Sequence, residues 1–436
     1  MMGKYTITTL GCKVNQSESD ALVRLLHQMG WVSASNDDTI DICIINTCTV
    51  TAKASMQSRQ ATRKAIRSHP GARIVVTGCY AQTEPDVLRN ISGVNDIIGL
   101  ADKNRIPDIL SGTSIRSSPG LNLKEDNQCP HVVPLKENLM GTRTRPFIKI
   151  QDGCNGVCTY CIVPSARGKS QSVSPGSVMG QIQQFAREGY NEVVLTGIHL
   201  GHYGLDLTPP TRLSALLAHI QETEIIHRIR FSSIEPGELA EEIIHRVADS
   251  ECFCRHFHIP LQSGDDRTLK RMRRPYDRTL FRDVILKIRK WVPDAAIGTD
   301  VLIGFPGETD AAFENTYELI KELPISYLHV FPFSPREGTP ASDYPDQVAW
   351  ETIQERSKKI RELGHFKKKA FYQQFQNKRV EMIVEGKVPG SPGFMKGTTS
   401  NYIPVLIRGE GYLKGSLLEV RIDKVDDANT VTGSIF

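Results

Sequence analysis

The run QDGCNGVCTYCIVP puts three cysteines, Cys154, Cys158 and Cys161, within eight residues. Thiolates this close in sequence can wrap one iron–sulfur cube on a single loop. A tetrahedral zinc site needs a fourth ligand, usually from a second CxxC or HxxxH pair, and the surrounding sequence supplies none. Three protein ligands leave one iron of a four-iron cube open, and an open iron can chelate the amino and carboxylate groups of a small molecule.

Three more cysteines are far apart in sequence yet similarly placed: TTLGC ends in Cys12, INTCT contains Cys48 and VVTGC ends in Cys79. Each follows a short apolar or β-branched run, expected as strands at 4–9, 40–45 and 73–76, with helical periodicity between them. Ala21, Leu22, Leu25, Leu26 and Met29 mark the first helix, which Gly30 stops, and a second is expected over 52–68. This alternation reads as βαβ units and hence a parallel sheet. Open parallel sheets bind ligands along the carboxyl edge of their strands, so the three cysteines converge there. Any one of them alone reads as an ordinary buried cysteine; three at equivalent strand ends suit an iron–sulfur cluster. Cys43, flanked by Ile42 and Ile44, is expected in the core. Arg59, Arg63, Lys64 and Arg67 on the second helix read as a solvated face, with RNA phosphates as the weaker alternative.

An expected strand at 147–150 runs straight into the Cys154 loop, and five more follow at 192–196, 228–232, 256–259, 296–302 and 327–331. Amphipathic stretches at 212–221, 239–247 and 281–288 separate them, which implies an incomplete β/α barrel. Its working face would carry the residues just after the strands: Gly197 and His199, Ser233 and Glu235, Gln262 and Ser263, Gly304 and Phe305, Pro332 and Phe333. Ser232, Ser233 and Gln262 equally suit satisfying backbone ends, and His199, His256 and His258 read as structural or cleft-lining rather than as metal ligands. Cys252 and Cys254 precede a strand and stay outside the cluster count. In LKRMRRP, the cations Lys270, Arg271, Arg273 and Arg274 suit phosphates, a solvated helix end being the alternative.

A length of 436 residues favours two to four domains at roughly 100 to 200 residues each. Ten cysteines are too few for a disulfide scaffold in so long a chain, and in a reducing compartment they indicate metal or redox chemistry. The balance of 53 Lys+Arg against 49 Asp+Glu does not by itself mark a nucleic-acid binder. The distribution does more: between Arg356 and Val380 nine basic residues, among them Lys367, Lys368 and Lys369, accompany one acid, Glu362, on an expected long helix. Phe366, Phe371, Tyr372 and Phe375 interleave with them and read first as core packing. From about Lys378, RVEMIVEG, NYIPVLI, GSLLEVRID and TVTGSIF make a small β barrel, a fold that commonly binds RNA. Residues 113–141 read as a linker in which Cys129 is incidental, leaving domains at 1–112, 142–370 and 371–436. The expected fold class is α/β, with an N-terminal doubly wound parallel sheet, a central incomplete (β/α)6 barrel and a C-terminal β barrel. No stretch approaches the roughly 18 apolar residues of a membrane span, and the opening residues lack a signal-peptide pattern, so a soluble cytoplasmic protein is expected.

The CxxxCxxC spacing, with Tyr160 just before its third cysteine, resembles the signature of the radical S-adenosylmethionine superfamily. The domain order and the strings TLGCKVNQSES, INTCTVT, TGCYAQ, QDGCNGVCTYCIVP, FSSIEP, HIPLQSG, GTDVLIGFPGET and FPFSPREGTPA resemble its methylthiotransferase family over essentially the whole chain. The last domain resembles a TRAM module. TLGCKVN resembles the branch that modifies threonylcarbamoyladenosine in tRNA, whereas the isopentenyladenosine and ribosomal-protein branches differ after the first cysteine.

The resemblance implies two [4Fe-4S] clusters. One, on Cys154, Cys158 and Cys161, would bind S-adenosylmethionine, whose reductive cleavage gives a 5′-deoxyadenosyl radical. The other, on Cys12, Cys48 and Cys79, would carry the sulfur, and a second S-adenosylmethionine would supply the methyl group. The target hydrogen on adenine C2 is too weakly acidic for any side-chain base, in keeping with the lack of an evident acid/base pair. The family pattern puts the Tyr160 backbone, Thr196, Gly197, Ser233, Gln262, Ile303, Gly304 and Phe305 around S-adenosylmethionine, although Leu195, Thr196, Gly197 and Ile198 replace the superfamily's usual GGE turn. Implied partners are tRNA, met by Arg271, Arg273, Arg274, Lys367, Lys368 and Lys369, an electron donor such as flavodoxin or ferredoxin, and a sulfur donor or cluster-repair protein. The same chemistry on isopentenyladenosine or a ribosomal-protein aspartate is one rival. A non-catalytic zinc- or cluster-containing RNA-binding protein is another.

Overall fold

The computed structural model describes residues 3–35, 38–110 and 143–436, so the whole of the expected linker, with Cys129, lies outside the described residues. The described residues group into two compact units: those of 1–139 with 149–173 and 334–339, and those of 140–148 with 174–333 and 340–436. The Cys154 loop belongs to the first unit, although the sequence runs into it directly from a barrel strand.

The first unit is built on β1 (Lys4–Thr9), α1 (Lys13–Gln28), β2 (Val32–Ser33), β3 (Ile42–Thr47), α2 (Ala52–Ser68), β4 (Arg73–Gly78), α3 (Cys79–Thr83), α4 (Pro85–Arg89), β5 (Asp96–Ile98) and α5 (Ile106–Leu110). The strands form one sheet in the order β2-β1-β3-β4-β5, and all of its ladders are parallel. Both faces are covered. Tyr5, Ile42, Ile44 and Val75 pack with Leu22 and Leu26 of α1, while Cys43, Ile45, Ile74 and Val76 pack with Tyr80, Leu88 and residues of α2. A central strand buried on both sides must be apolar throughout, as ICII is, and Cys43 is core as expected.

Strand β3 ends two residues later than the apolar run, because Asn46 and Thr47 are buried but satisfied: Asn46 Nδ2 donates to the Asn15 carbonyl at 2.8 Å and Thr47 Oγ1 to the Thr77 carbonyl at 2.5 Å. The register then sets Asn46 beside Thr9 and Thr47 beside Gly78, so the strand ends lie level.

Residues 149–173 of this unit follow β6 (Phe147–Lys149) and hold β7 (Gln151–Asp152), the cysteine loop, α6 (Val163–Arg167) and β8 (Gln171–Ser172). Antiparallel pairing of β7 with β8 closes the base of that loop.

The second unit continues with α7 (Pro175–Arg187), β9 (Glu192–Thr196), α8 (Leu213–Thr223), β10 (Arg228–Phe231), α9 (Glu241–Asp249), β11 (His256–His258), α10 (Asp266–Arg271), α11 (Arg278–Trp291), β12 (Ala296–Ile303), α12 (Asp310–Glu322) and β13 (Tyr327–Pro332). The barrel strands form two three-stranded sheets, β10-β9-β6 and β11-β12-β13. Between them the chain at Cys252 to Cys254 bonds β10 through Ile229 before β11 begins, so a single bridge, Ile229 with Phe253, replaces a continuous ladder. The 24-residue α13 (Trp350–Gln373) leads to β14 (Arg379–Lys387), β15 (Phe394–Thr399), β16 (Pro404–Arg408), β17 (Leu417–Val425) and β18 (Val431–Ile435). These five close a barrel in the order β14-β15-β16-β18-β17, whose core of Met382, Val384, Met395, Val405, Ile407 and Val420 takes in Phe371, Tyr372 and Phe375. Phe366, by contrast, is 70 % exposed. No helix among the described residues is long and apolar enough to cross a membrane.

Candidate functional site

The level strand ends of the first unit bring Cys12, Cys48 and Cys79 to one edge of its sheet. Cys12 caps α1, Cys48 directly follows β3, and Cys79 opens α3. The approach of the first two loops is close: a Cβ on Gly11, whose φ is +94°, would lie 2.7 Å from the Cys48 sulfur. The Cys12 thiol is near enough to add its charge to the surroundings of both Cys48 and Cys79. Asn15, one turn after Cys12, ties the loops together, its Nδ2 donating to the carbonyls of Leu10 at 2.8 Å and Thr47 at 2.9 Å. Cys79 Sγ lies 3.9 Å from Asn15 Oδ1. Cys48 and Cys79 are each 5 % exposed, and burial raises both thiol pKa values, that of Cys79 to about 11.

Beside these thiols lies a buried ionic hub. Arg167, the last residue of α6, donates to Asn15 Oδ1 at 2.5 Å, to Glu18 Oε1 at 2.9 Å and to Asp152 Oδ1 at 2.8 Å, with its side chain 2 % exposed. Lys103 reaches Glu18 at 2.5 Å, and Lys149 reaches Glu18 at 3.1 Å and Asp152 at 2.8 Å. Burial works to raise the Glu18 pKa, but Arg167, then Lys103 and Lys149, overcome it and hold this carboxyl well below the ordinary range. Burial likewise opposes the charge on Arg167, yet Asp152, Cys79 and Glu18 keep the guanidinium strongly protonated. Among the described residues three cations meet two carboxylates here, a balance toward positive charge beside thiols that would need compensation as thiolates.

The CxxxCxxC loop hangs from the same hub, since Asp152 and Arg167 flank it in sequence. Gln151 Nε2 holds its base, donating to the Gly153 carbonyl at 2.8 Å and to Ser170 Oγ at 2.9 Å. The Cys154 N–H donates to the Gly168 carbonyl at 3.0 Å, and the Cys161 N–H to that of Cys158 at 3.1 Å. The Gly156 N–H donates to Cys154 Sγ at 3.2 Å, and a Cβ on Gly156 would stand 3.1 Å from that sulfur and 4.0 Å from Cys158 Sγ. Two thiols thus turn toward one stretch of backbone that can donate to sulfur, while all three cysteines stay partly exposed. Each set has features that fit an iron–sulfur group: Cys12, Cys48 and Cys79 share one sheet edge with the Arg167 cation nearby, and on the loop Cys154 and Cys158 face a backbone N–H that donates to sulfur.

In the second unit, the other residues singled out from the sequence stand at or just past the carboxyl ends of barrel strands. Buried Thr196 ends β9 with Gly197 next, Ser233 lies exposed beyond β10, and Ile303 ends β12. Gln262 has a φ of +63°, and its backbone bonds Asp300 and Leu302 of β12. Gly304 donates its N–H to Glu308 Oε1 at 3.1 Å, and Phe305 is fully buried against Phe333. Tyr160 sits on the cysteine loop of the first unit.

The basic residues are less uniform than their sequence runs. Arg274 pairs with Glu235, Arg271 lies over the Tyr344 ring at 5.5 Å, and Arg273 is exposed. Lys367 donates to the Leu323 carbonyl at 2.7 Å and the Lys321 carbonyl at 3.0 Å, and Lys369 meets Asp427 at 2.5 Å. Lys368 instead lines a cavity of 510 Å³ together with Arg145, Arg361 and Lys396, with Tyr327, Tyr372 and Tyr402 in its walls.

Reading the sequence alone missed the hub entirely. Glu18 and Lys103 lie far in sequence from Lys149, Asp152 and Arg167, and charged residues on amphipathic elements ordinarily face water. The fall of Arg167 six residues after Cys161 is the one local signal, and spacing alone does not distinguish it from a surface arginine.

Comparison with known proteins agrees with this geometry. Residues 4–99 match the family described as Uncharacterized protein family UPF0004, and residues 148–320 match the Radical SAM superfamily. The threonylcarbamoyladenosine tRNA methylthiotransferase MtaB of Bacillus subtilis (strain 168) is 38 % identical over 425 residues, covering 97 % of this chain and 94 % of its own length. The protein of the same name from Aquifex aeolicus (strain VF5) is 36 % identical over 422 residues, covering 96 % of this chain and 100 % of its own. Among solved structures, the radical S-adenosylmethionine methyltransferase TsrM from Kitasatospora setae, with cobalamin and a [4Fe-4S] cluster bound, shares the fold at a TM-score of 0.57 and 16 % identity, over 78 % of this chain and 77 % of that one. With its sulfur-bearing loops, its barrel and its near full-length relatives in agreement, the chain belongs to the methylthiotransferase family of radical S-adenosylmethionine enzymes.

Proposed function

We propose that this enzyme places a methylthio group on C2 of N6-threonylcarbamoyladenosine beside the tRNA anticodon, and that it does so with two four-iron clusters. The observation that carries the reading is the convergence of Cys12, Cys48 and Cys79 on one sheet edge, in a chain whose near full-length relatives bear that activity in their names.

Cys154, Cys158 and Cys161 would hold the cluster whose open iron binds S-adenosylmethionine and whose electron cleaves it; Cys12, Cys48 and Cys79 would hold the second, sulfur-bearing one. The chain's own groups do the rest. Gly156 supplies an N–H to the Cys154 sulfur, which lowers the charge density there. Arg167 sits where it offsets thiolate charge near Cys12, Cys48 and Cys79 while gripping Asp152 at the base of the other loop. Thr196, Gly197, Ser233, Gln262, Ile303, Gly304 and Phe305 of the second unit are proposed to contact S-adenosylmethionine, and so is the backbone at Tyr160. The tRNA would meet Arg271, Arg273, Lys368 and the small barrel; Arg274, Lys367 and Lys369, committed to protein partners, would act by holding that surface in shape. A flavodoxin- or ferredoxin-like reductant and a sulfur donor acting in the cytoplasm complete the proposal.

Anaerobic reconstitution followed by iron and acid-labile sulfide analysis tests it, two clusters requiring about eight iron atoms per chain. A fall to about four when Cys12, Cys48 and Cys79 are replaced, together with a methylthio mass gain on tRNA carrying threonylcarbamoyladenosine, is the expected result. About four in the unaltered chain would remove the second cluster, and a mass gain only on isopentenyladenosine tRNA would move the substrate to the other branch.

A further inference from the structure

Three neighbouring strands of the barrel carry a cluster of side chains that the methylthiolation chemistry does not use. His258 on β11 is paired in register with Gly298 on β12, and Asp300, two residues on, is paired with His329 on β13. Side chains alternate along a strand, so His258, Asp300 and His329 stand on the same face of this sheet. His258 Nε2 is 2.9 Å from Asp300 Oδ1, and His329 Nδ1 is 3.2 Å from the same oxygen. We propose that His258, Asp300 and His329 form a site for a divalent ion of the zinc class, distinct from both cysteine sets.

The separations suit it. With bonds of about 2.1 Å to nitrogen and oxygen, adjacent ligand atoms lie about 3.0 Å apart around an octahedral ion and about 3.4 Å apart around a tetrahedral one. Two imidazoles and a carboxylate are the donor set that borderline divalent metals take, and the carboxylate half-balances the charge of the ion. Ring geometry separates this group from the cluster of His199, His202 and Glu238, the second such group among the described residues. A metal must lie in the plane of each imidazole it binds. His199 and His202, both near Glu238, are stacked at 3.8 Å with planes only 18° apart, so no ion can lie in both planes at bonding distance. The His258 and His329 ring centres are 5.1 Å apart, a separation that leaves room for one ion bound by a nitrogen of each ring at about 2.1 Å.

A supporting layer is also present. The Tyr327 hydroxyl lies 3.2 Å from His258 Nδ1, the nitrogen turned away from Asp300, and 2.7 Å from His256 Nε2. Such a partner fixes the orientation and tautomer of a metal-binding imidazole. Residue 298 must be glycine for this, because a Cβ there would come within 2.3 Å of the Tyr327 hydroxyl. Open coordination positions have somewhere to point: the His329 side chain is 53 % exposed, and Tyr327 and His329 line the 510 Å³ cavity. Arg145, Arg361, His365, Lys368 and Lys396 around that cavity favour an anion as the remaining ligand, although Arg145 is already engaged by Glu192 and Glu385.

The test is zinc uptake by the full-length, cluster-reconstituted enzyme, dialysed against Zn²⁺ and freed of excess, with zinc and iron counted on the same sample. The expected result is one more zinc per chain in the unaltered protein than in His329→Ala, at equal iron. Asp300→Asn should lose it too, and Tyr327→Phe should keep it with about 10- to 100-fold weaker affinity. His329 is exposed, so its alanine variant folds even if Asp300→Asn does not. Equal zinc in the unaltered chain and in His329→Ala would overturn the site, since zinc held by vacant cysteines survives that substitution. Iron content reports on the clusters separately, so the two proposals fail independently.

Discussion

Arg167 Nη2 donates to Asn15 Oδ1 across 2.5 Å, joining the helix that follows Cys161 to the first turn after Cys12. Through Asn15 that contact extends to the carbonyls of Leu10 and Thr47, the residues just ahead of two cysteine-bearing turns. Packing and charge balance thus meet at one guanidinium. A cation that holds two carboxylates in a buried place is costly to remove, because the partners stay behind unneutralised.

Arg167→Met is therefore expected to destabilise the first unit by about 3 to 5 kcal/mol, which urea denaturation of the unreconstituted protein would measure. A loss under 1 kcal/mol would mean that Lys103 and Lys149 suffice for Glu18 and Asp152.

Cys158→Ala should abolish cleavage of S-adenosylmethionine, whereas Cys48→Ala should leave cleavage running without any transfer of sulfur. The two products, 5′-deoxyadenosine and methylthiolated RNA, are counted separately by mass spectrometry. Full methylthiolation by either variant would sink the assignment of that cysteine.

Glu192, unexposed and held by Arg228 at 2.6 Å and Arg230 at 2.9 Å, gives the second unit an acid-sensitive lock. Burial pushes its pKa up, but Arg230, Arg228 and Arg145 outweigh this and bring it down to about 2 from an ordinary 4.5. A carboxyl depressed in the folded state contributes its stability above the unfolded value and loses it as pH falls toward the folded one. Stability on the order of 3 kcal/mol should thus be present above about pH 4.5 and drain away toward about pH 2. Glu192→Gln should flatten that pH dependence while lowering stability at neutral pH, where Arg228 and Arg230 lose their counter-charge; parallel denaturation series across this range check both.

Two neighbouring lysines of α13, Lys367 and Lys368, should behave differently. Lys368→Ala is expected to weaken tRNA binding and to reduce the slope of log affinity against log salt by about 0.7 to 0.9, one phosphate contact. Lys367→Ala should leave the slope alone and cost about 1 kcal/mol of stability through the lost bonds to the end of α12. Equal slopes for the unaltered chain and Lys368→Ala would take the cavity out of the RNA surface.

Local pattern carried much of this protein. The span of α2 was legible residue for residue, because its periodicity is bounded by a capping Thr51 whose side chain accepts from the Ala54 N–H. The parallel sheet, the strand-end cysteines and the core position of Cys43 follow from alternation and burial tendencies that act over a few residues. The split of the barrel into two sheets did not follow, since the backbone bonds of Ile229 to Cys252 and Cys254 depend on where a loop lies in space.

Chemistry that needs only short-range spacing, such as CxxxCxxC or a strand ending in cysteine, was determined by the sequence itself: residue order alone sets those distances. The Arg167 hub, the different surroundings of Lys367, Lys368 and Lys369, and the meeting of His258, Asp300 and His329 were decided by tertiary structure. Apart from the pairs that Asp152 makes with Lys149 and Arg167, their partners lie tens of residues or more apart, and whether a charged side chain ends in water, on a helix terminus or against a buried opposite charge is settled only when packing fixes what surrounds it.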